Sequence, residues 1–260
     1  MEYVALGRSN LLVSRTAFGA MSLDCEEIEK FGEEAEEKAA CLVHQAYDGG
    51  VNFFDTARSR PVCEKRLGMA LSGIRQNVFL ATKTAAKTGE QLKKDLAKSL
   101  ETLGTDSIDL YQIENQDIIP QKDGANEIYN ALCESKKEGK IKHFGIATEN
   151  IQLARGAVIS GLYETLQFPF NLLSGEEVVD LVRMCHEQDV GFIAMQPLCG
   201  GVVSNIPLAF GFLHQYEAAV PVWGARTAEE LQQILYFNSH PPVVDEQFKL
   251  EAQKVRDFFN

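Results

Sequence analysis

Eight short apolar runs recur along the chain, each nearly unbroken: SRTAFGA, VNFFD, NVFLATK, IDLYQI, KHFGIAT, TLQFPF, VGFIAMQP and AAVPVWG. A strand with one wet face alternates apolar and polar residues. A strand of a parallel sheet covered on both faces does not, and that is the pattern here. Helical spacing fills the intervals. Ala35 to Tyr47 is one such stretch, ending at Gly49 and Gly50. Glu90 to Leu103 puts Leu92, Leu96, Leu100 and Leu103 on one face, with Thr88 and Gln91 as a capping box and Gly104 as C-cap. Asn126 to Lys137 stops at Gly139. Val178, Val179, Val182 and Cys185 mark a fourth helix, and Thr227 to Tyr236 a fifth. Asp245 to Phe259 predicts a terminal helix after the Pro241-Pro242 break. Tyr3 to Val13 carries Gly7, Arg8, Ser9 and Asn10 between two apolar pieces and predicts a small hairpin.

Strands alternating with helices imply βαβ crossovers, and eight of them match a (β/α)₈ TIM barrel. The alternative is an open doubly wound sheet, which wants a G-x-G-x-x-G turn after its first strand. The first run instead leads into GAMSLDCEEIEKFGEE. No linker or low-complexity segment interrupts the pattern, so one domain is expected over residues 1–260.

Charge narrows the partners. Lys+Arg is 25 against Asp+Glu 37, a net charge of −12. Such a field repels phosphate, which argues against nucleic acid and anionic membranes and leaves a small-molecule substrate. The six cysteines are scattered with no C-x-x-C, and the five histidines lack metal spacing. Reduced thiols, a cytoplasmic setting and no metal are expected. The opening residues show no secretory h-region, and no apolar run approaches the ~18 residues of a membrane span.

In such a barrel the chemistry gathers where the strands end. The ends are Asp55, Lys83 and Glu114, then Thr148, Gln167, Gln196 and Gly224. A carboxylate, an ammonium and a second carboxylate form either an acid/base site or a structural ion pair closing the barrel top. Lys83 and Arg60 would favour the charged form of Glu114. Tyr111, three residues before Glu114, reads as barrel wall. The last two loops, PLCGG (Pro197 to Gly201) and WGART (Trp223 to Thr227), stand where barrels often hold phosphate, with Arg226 beside a helix start. Their plain reading is a tight turn and a solvated arginine. The acidic run Glu26 to Glu37 is either a solvated loop and helix start or a lid. Cys63 lies near arginines that would lower its pKa, although an ordinary thiol is the simpler reading.

Several segments together resemble the aldo-keto reductase family. VNFFDTARSRPVCEKRLGMAL is similar to its strand ending in FFDTA, NVFLATKT to its lysine strand, and SLETLGTDSIDLYQI to the approach to its histidine. EGKIKHFGIAT, LQFPFNLL, IAMQPLCGG and VWGARTAEEL resemble later motifs in the family's order, and GRSNLLVSR its opening hairpin. The likeness runs from Leu6 to about Leu231. It implies a barrel that binds NADP(H), with NAD(H) left open, and reduces carbonyls.

The family's tetrad is Asp, Tyr, Lys and His. Asp55 and Lys83 match. Arg60 stands at the Tyr position, followed by Pro61, and Glu114 stands at the His position. Arg60 keeps its proton at working pH and so is suited to holding an anion rather than donating a proton. Glu114 is the remaining acid, as in a branch of the family that reduces steroid double bonds. The resemblance further assigns cofactor contacts to Gln167, Met195, Pro197, Leu198, Gly200, Gly201, Gly224, Arg226 and Thr227. The Ser-Asn pair of the family is Ala147-Thr148 here, and Glu230 stands where Arg or Gln is usual. Arg58, Arg60 and Trp223 are the candidate substrate contacts. Three functions follow. The first is an NAD(P)H-dependent oxidoreductase acting on a small, anionic carbonyl or unsaturated substrate, with Glu114 as acid. The second is a nicotinamide-independent lyase, isomerase or hydrolase. The third is a non-catalytic ligand- or partner-binding barrel.

Overall fold

The computed structural model describes residues 1–259. A two-stranded antiparallel hairpin, β1 (Tyr3–Ala5) and β2 (Leu12–Ser14), precedes the barrel. The barrel strands are β3 (Ala17–Gly19), β4 (Phe53–Asp55), β5 (Phe79–Thr84), β6 (Ile108–Glu114), β7 (Ile141–Ala147), β8 (Thr165–Pro169), β9 (Gly191–Met195) and β10 (Ala219–Trp223). They are parallel and close in chain order, β10 pairing with β3. All eight apolar runs therefore became strands of one TIM barrel.

The helices between them are α1 (Glu26–Glu29), α2 (Ala35–Asp48), α3 (Pro61–Leu71), α4 (Gly89–Leu103), α5 (Ile128–Lys137), α6 (Ile151–Ser160), α7 (Glu176–Glu187), α8 (Ile206–His214), α9 (Ala228–Ser239) and α10 (Glu246–Phe259). Thr88 caps α4 by accepting from the Gln91 N–H at 3.2 Å, and Gly104 ends it in the left-handed region. Besides the four-residue α1, three helices were not predicted. In α8, IPLAFGFLH, apolar residues face every way, so no period shows; Leu208 to Leu213 are all buried. In α6 the apolar residues are equally dense. In α3 two charged residues, Glu64 and Arg66, are buried alongside Cys63, Leu67, Ala70 and Leu71, which blurs the apolar face.

Side-chain alternation along the strands divides the core into two clusters. Phe54, Leu80, Tyr111, Ile146, Leu166, Phe192 and Trp223 point outward against the helices. Ala17, Phe53, Ala81, Leu110, Ile193, Val220 and Val222 point inward and join Leu6, Leu11 and Val13 from the hairpin region. The hairpin thus plugs the floor of the barrel. Gly7 makes this possible. At φ +50° it turns the chain so closely onto β9 that a Cβ would lie 2.2 Å from the Gly191 nitrogen. Above the apolar floor the inward positions turn polar: Asp55, Lys83, Gln112, Glu114 and Gln167. Register places Lys83 beside Gln112 and Gln112 beside Gly145. A Cβ on Gly145 would strike Thr165 Oγ1 at 2.0 Å, so only glycine leaves room at this level of the interior.

Candidate active site

Asp55 ends β4 and Lys83 lies near the end of β5, so both side chains enter the top of the barrel. Each is only 5% exposed. The Lys83 ammonium donates to Asp55 Oδ1 at 2.7 Å, to Oδ2 at 2.6 Å and to the Thr56 carbonyl at 2.8 Å. An ammonium has three donors, and all three are used. Lys83 is therefore a neutralised, fully bonded partner of Asp55 rather than a free acid.

The pair is tied across the barrel. Gln167 Nε2 on β8 donates to Asp55 Oδ2 at 3.2 Å, and Gln112 Nε2 on β6 donates to Gln167 Oε1 at 3.2 Å. Gln112 Oε1 is buried with no hydrogen-bond partner. The sequence reading did not single out Gln112. Its signal was the strand period, since a residue two before Glu114 must share its face.

Glu114 sits one strand from Lys83 and is half-buried. Its Oε1 accepts from the Ser59 hydroxyl at 3.4 Å. Burial holds the carboxyl toward its protonated form, and the Asp55 charge adds to this. Lys83 and the Ser59 hydroxyl oppose these effects without overcoming them. Lys83 does favour the charged form of Glu114, as expected, but loss of water around the carboxyl outweighs it and raises the pKa above its ordinary value.

Two candidate substrate contacts are also corrected. The Arg58 guanidinium forms an ion pair with Glu64, which is wholly buried, and reaches Thr102 Oγ1 at 3.1 Å. Glu64 in turn accepts from Thr82 Oγ1 and Ser99 Oγ, both at 2.8 Å. Arg58 is therefore spent in the α3–α4 layer outside the barrel. Trp223 follows the inward Val222 and so points outward. It stacks on Phe210 of α8, centroids 5.7 Å apart, and is 2% exposed. Arg60, by contrast, is exposed at the start of α3, immediately after the Ser59 that touches Glu114. Tyr111 is buried barrel wall. Burial raises the Cys63 thiol to about 11, which outweighs the arginines nearby.

The β9 and β10 loops complete the rim. Met195 ends β9 half-buried. Gly200 and Gly201 take φ of +67° and +94°, within the loop that runs from Pro197 through the half-buried Leu198. Gly224 packs over Ser22, and Thr227 Oγ1 caps α9 by accepting from the Glu230 N–H at 3.3 Å. Arg226 is held by Glu230, from Nη2 to Oε1 at 2.8 Å and from its backbone N–H to Oε2 at 2.9 Å. It also meets Glu27 of α1 at 3.4 Å. Glu29 and Glu36 pair with Arg66 of α3. The acidic segment is therefore strapped over one side of the rim at two points. Among the described residues no group of three or more His, Cys, Asp or Glu is arranged to hold a metal.

The aldo/keto reductase family model matches residues 15–207, which span β3 through the start of α8. The chain belongs to that family. Its members are oxidoreductases that generally bind NAD(P)H. An uncharacterized oxidoreductase of Bacillus subtilis, YqkF, is 27% identical over 217 residues, covering 78% of this chain and 67% of that protein. The L-galactose dehydrogenase of Arabidopsis thaliana is 29% identical over 220 residues, covering 79% and 68%. The chain thus spans about two thirds of these relatives' length. Among solved structures, an aldo-keto reductase of Bacillus halodurans in its holo form superposes with a TM-score of 0.81. It is 22% identical, with coverage of 98% of this chain and 96% of that one. A Pseudomonas protein described as a putative aldo-keto reductase gives 0.79 at 20% identity, covering 92% and 94%. These likenesses carry the fold.

Proposed function

We propose that this protein is a nicotinamide-dependent reductase of small anionic carbonyl or activated alkene compounds, with Glu114 as proton donor. The observation that carries the reading is Glu114 itself. It is a strand-end carboxyl above a neutral Asp55–Lys83 pair, and its surroundings hold it toward the protonated form.

The residues present fit a nicotinamide cofactor. Gln112 Oε1 is a buried acceptor without a partner beside the Gln167 amide, which suits a carboxamide donor. Gln167 would exchange one amide–amide bond for another. Met195 offers an apolar contact, and the Gly200–Gly201 turn has open space where side chains would project. Arg226 and the α9 start would lie along the phosphate-bearing end. When bound, the cofactor supplies a hydride to the substrate's electron-poor carbon.

The chain's own residues do the rest. Glu114 gives its proton to the carbonyl oxygen, or to the carbon next to the one reduced. Its carboxylate then recovers a proton from solvent. Ser59 is exposed, so its hydroxyl joins the Glu114 carboxyl to water. Arg60 is too basic to donate the proton and instead holds the substrate's carboxylate by charge-assisted hydrogen bonds. Asp55 and Lys83 fix the floor of the site and add no net charge to it. Six free thiols fit a proposed cytoplasmic setting, and among the described residues no helix is long and apolar enough to cross a membrane.

The test is turnover of a panel of 2-oxo acids and α,β-unsaturated acids with NADH and NADPH. Wild type is expected to reduce at least one of them. Glu114→Gln is expected to lose about a hundredfold or more in turnover while still binding nucleotide. Full activity in that variant would remove Glu114 from the mechanism. A second reading is a barrel that holds no nicotinamide, and it rests on Gln167 having both amide ends bonded inside the protein. Lack of binding of either nucleotide at millimolar concentration would favour it.

A further inference from the structure

We propose that Gln116 is a positioning residue for Glu114: its amide holds the turn after β6 that keeps the Glu114 carboxyl at the top of the barrel interior. This rests on the reading of Glu114 as proton donor above. The backbone carries the first observation. Asn115, the residue after Glu114, has φ +53°. That left-handed conformation is uncommon outside glycine and is tolerated best by asparagine and aspartate. Residues held there without glycine cluster at functional sites, where the surrounding structure must fix them. The turn also ends the alternation of β6. Gln112 and Glu114 point inward, and an unbroken strand would send Gln116 the same way. The side chain of Gln116 instead turns back on the chain.

The Nε2 of Gln116 has two N–H groups, and both are used. One donates to the Glu114 carbonyl at 2.9 Å and the other to the Ala86 carbonyl, also at 2.9 Å. Gln116 is 8% exposed, so water is a poor substitute for either bond. Ala86 is fixed in its turn: its N–H donates to Thr84 Oγ1 at 3.1 Å, and that hydroxyl donates to Asp95 of α4. A second tie runs in parallel. The Lys87 ammonium donates to the Asn115 carbonyl and pairs with Asp117 at 3.1 Å. The carbonyls of Glu114 and Asn115 are thus both moored to the segment after β5, the strand that carries Lys83.

The two ties differ. The Lys87 side chain is 53% exposed, so its bonds exchange readily with water. Gln116 is buried and is the main anchor. Its effect on Glu114 is geometric. Glu114 faces Asp55 of β4, Lys83 of β5 and the Ser59 hydroxyl of the loop after β4, and it stays half-buried only while the end of β6 is held. Without the Gln116 amide, Asn115 relaxes to a right-handed or extended conformation and the carboxyl swings toward water. A carboxyl returned to water is an ordinary carboxylate, charged at neutral pH. Gln116 does not touch the reacting atoms; it acts through Glu114.

The experiment is NMR titration of the ¹³C-labelled Glu114 carboxyl in the full chain, with turnover against pH beside it, for wild type, Gln116→Leu and Gln116→Asn. Leucine is similar in size and lacks the donors. Asparagine keeps the amide on an arm too short to reach both carbonyls, and it carries the same test should the leucine variant fail to fold. The Glu114 midpoint is expected above the ordinary 4.5 in wild type, near 4.5 in Gln116→Leu and between the two in Gln116→Asn. The alkaline fall in turnover should move to lower pH in the same order. Near neutral pH kcat should drop about tenfold or more in Gln116→Leu, with KM little changed. A role confined to stability would lower the melting temperature and leave the midpoint in place. Folded variants whose Glu114 titrates as in wild type overturn this inference and leave the proton-donor reading standing. A midpoint at or below 4.5 in wild type itself overturns both.

Discussion

Two cations stand at the barrel mouth, one inside it and one on its rim, each held by carboxylate oxygens. Lys83 and its partner Asp55 are 5% exposed, and every donor of the ammonium is satisfied. The Arg226 side chain is 53% exposed and shared between two glutamates. The pairing looks alike and the energetics do not. In the interior neither ion can be solvated if its partner leaves, so the pair is fixed. At the rim water replaces either partner at small cost, so the pair is exchangeable. The buried pair is fixed scaffold, and the exposed one can be rearranged by an incoming charged group.

The largest effect is expected from splitting the buried pair. Lys83→Met leaves the Asp55 carboxylate with one hydrogen bond from Gln167, and should cost about 3–5 kcal/mol in urea unfolding. The double variant Asp55→Leu/Lys83→Met should recover most of that loss. A loss below about 1 kcal/mol in the single variant would show that water reaches the pair. Arg58→Met strands the wholly buried Glu64 in the same way. It should lower stability on a similar scale, about 3–5 kcal/mol, without changing KM for an anionic substrate. A rise in KM with unchanged stability would return Arg58 to the site.

Glu114 lies between these extremes, half-buried and without a salt bridge. Its carboxyl titrates above the ordinary value in the folded chain. Such a group contributes stability that is fully present below the unfolded-state pKa and is lost as pH rises through the folded pKa. Glu114→Gln should therefore be more stable than wild type near neutral pH, with the difference vanishing as pH falls toward 4.5. Thermal melts across that window check the sign. Turnover should fall over the same rise in pH, as the acid form is depleted. The smallest effect belongs to the rim. Glu27→Gln should leave the melting temperature essentially unchanged, and a clear drop would mean that the segment after β3 is held mainly by this bridge.

The same contrast explains what the sequence could tell. All eight strands were legible because a parallel barrel buries both faces of each strand, which leaves continuous apolar runs. The ends of those runs pointed to Asp55, Lys83 and Glu114, since an ionisable residue closing an apolar run is conspicuous. Arg58 and Trp223 were misplaced for a different reason. Their positions along the chain were right, but alternation decides which way a side chain points. Val222 faces in, so Trp223 faces out. Arg58 follows its strand by three residues, where alternation no longer applies, and the buried Glu64 that captures it lies on a helix the pattern did not reveal. The effect of burial on Glu114 was also hidden, because a list of neighbouring charges says nothing about how much water remains.

The proposed proton donor can be tested without knowing the substrate. Selective ¹³C labelling of glutamate carboxyls, with Glu114→Gln to assign the resonance, allows Glu114 to be titrated directly by NMR. A folded-state midpoint clearly above the ordinary 4.5 is the expected result, and it would show that loss of water outweighs Lys83 at this carboxyl. A midpoint at or below 4.5 would mean that Lys83 controls Glu114 after all, and that the proton must come from elsewhere.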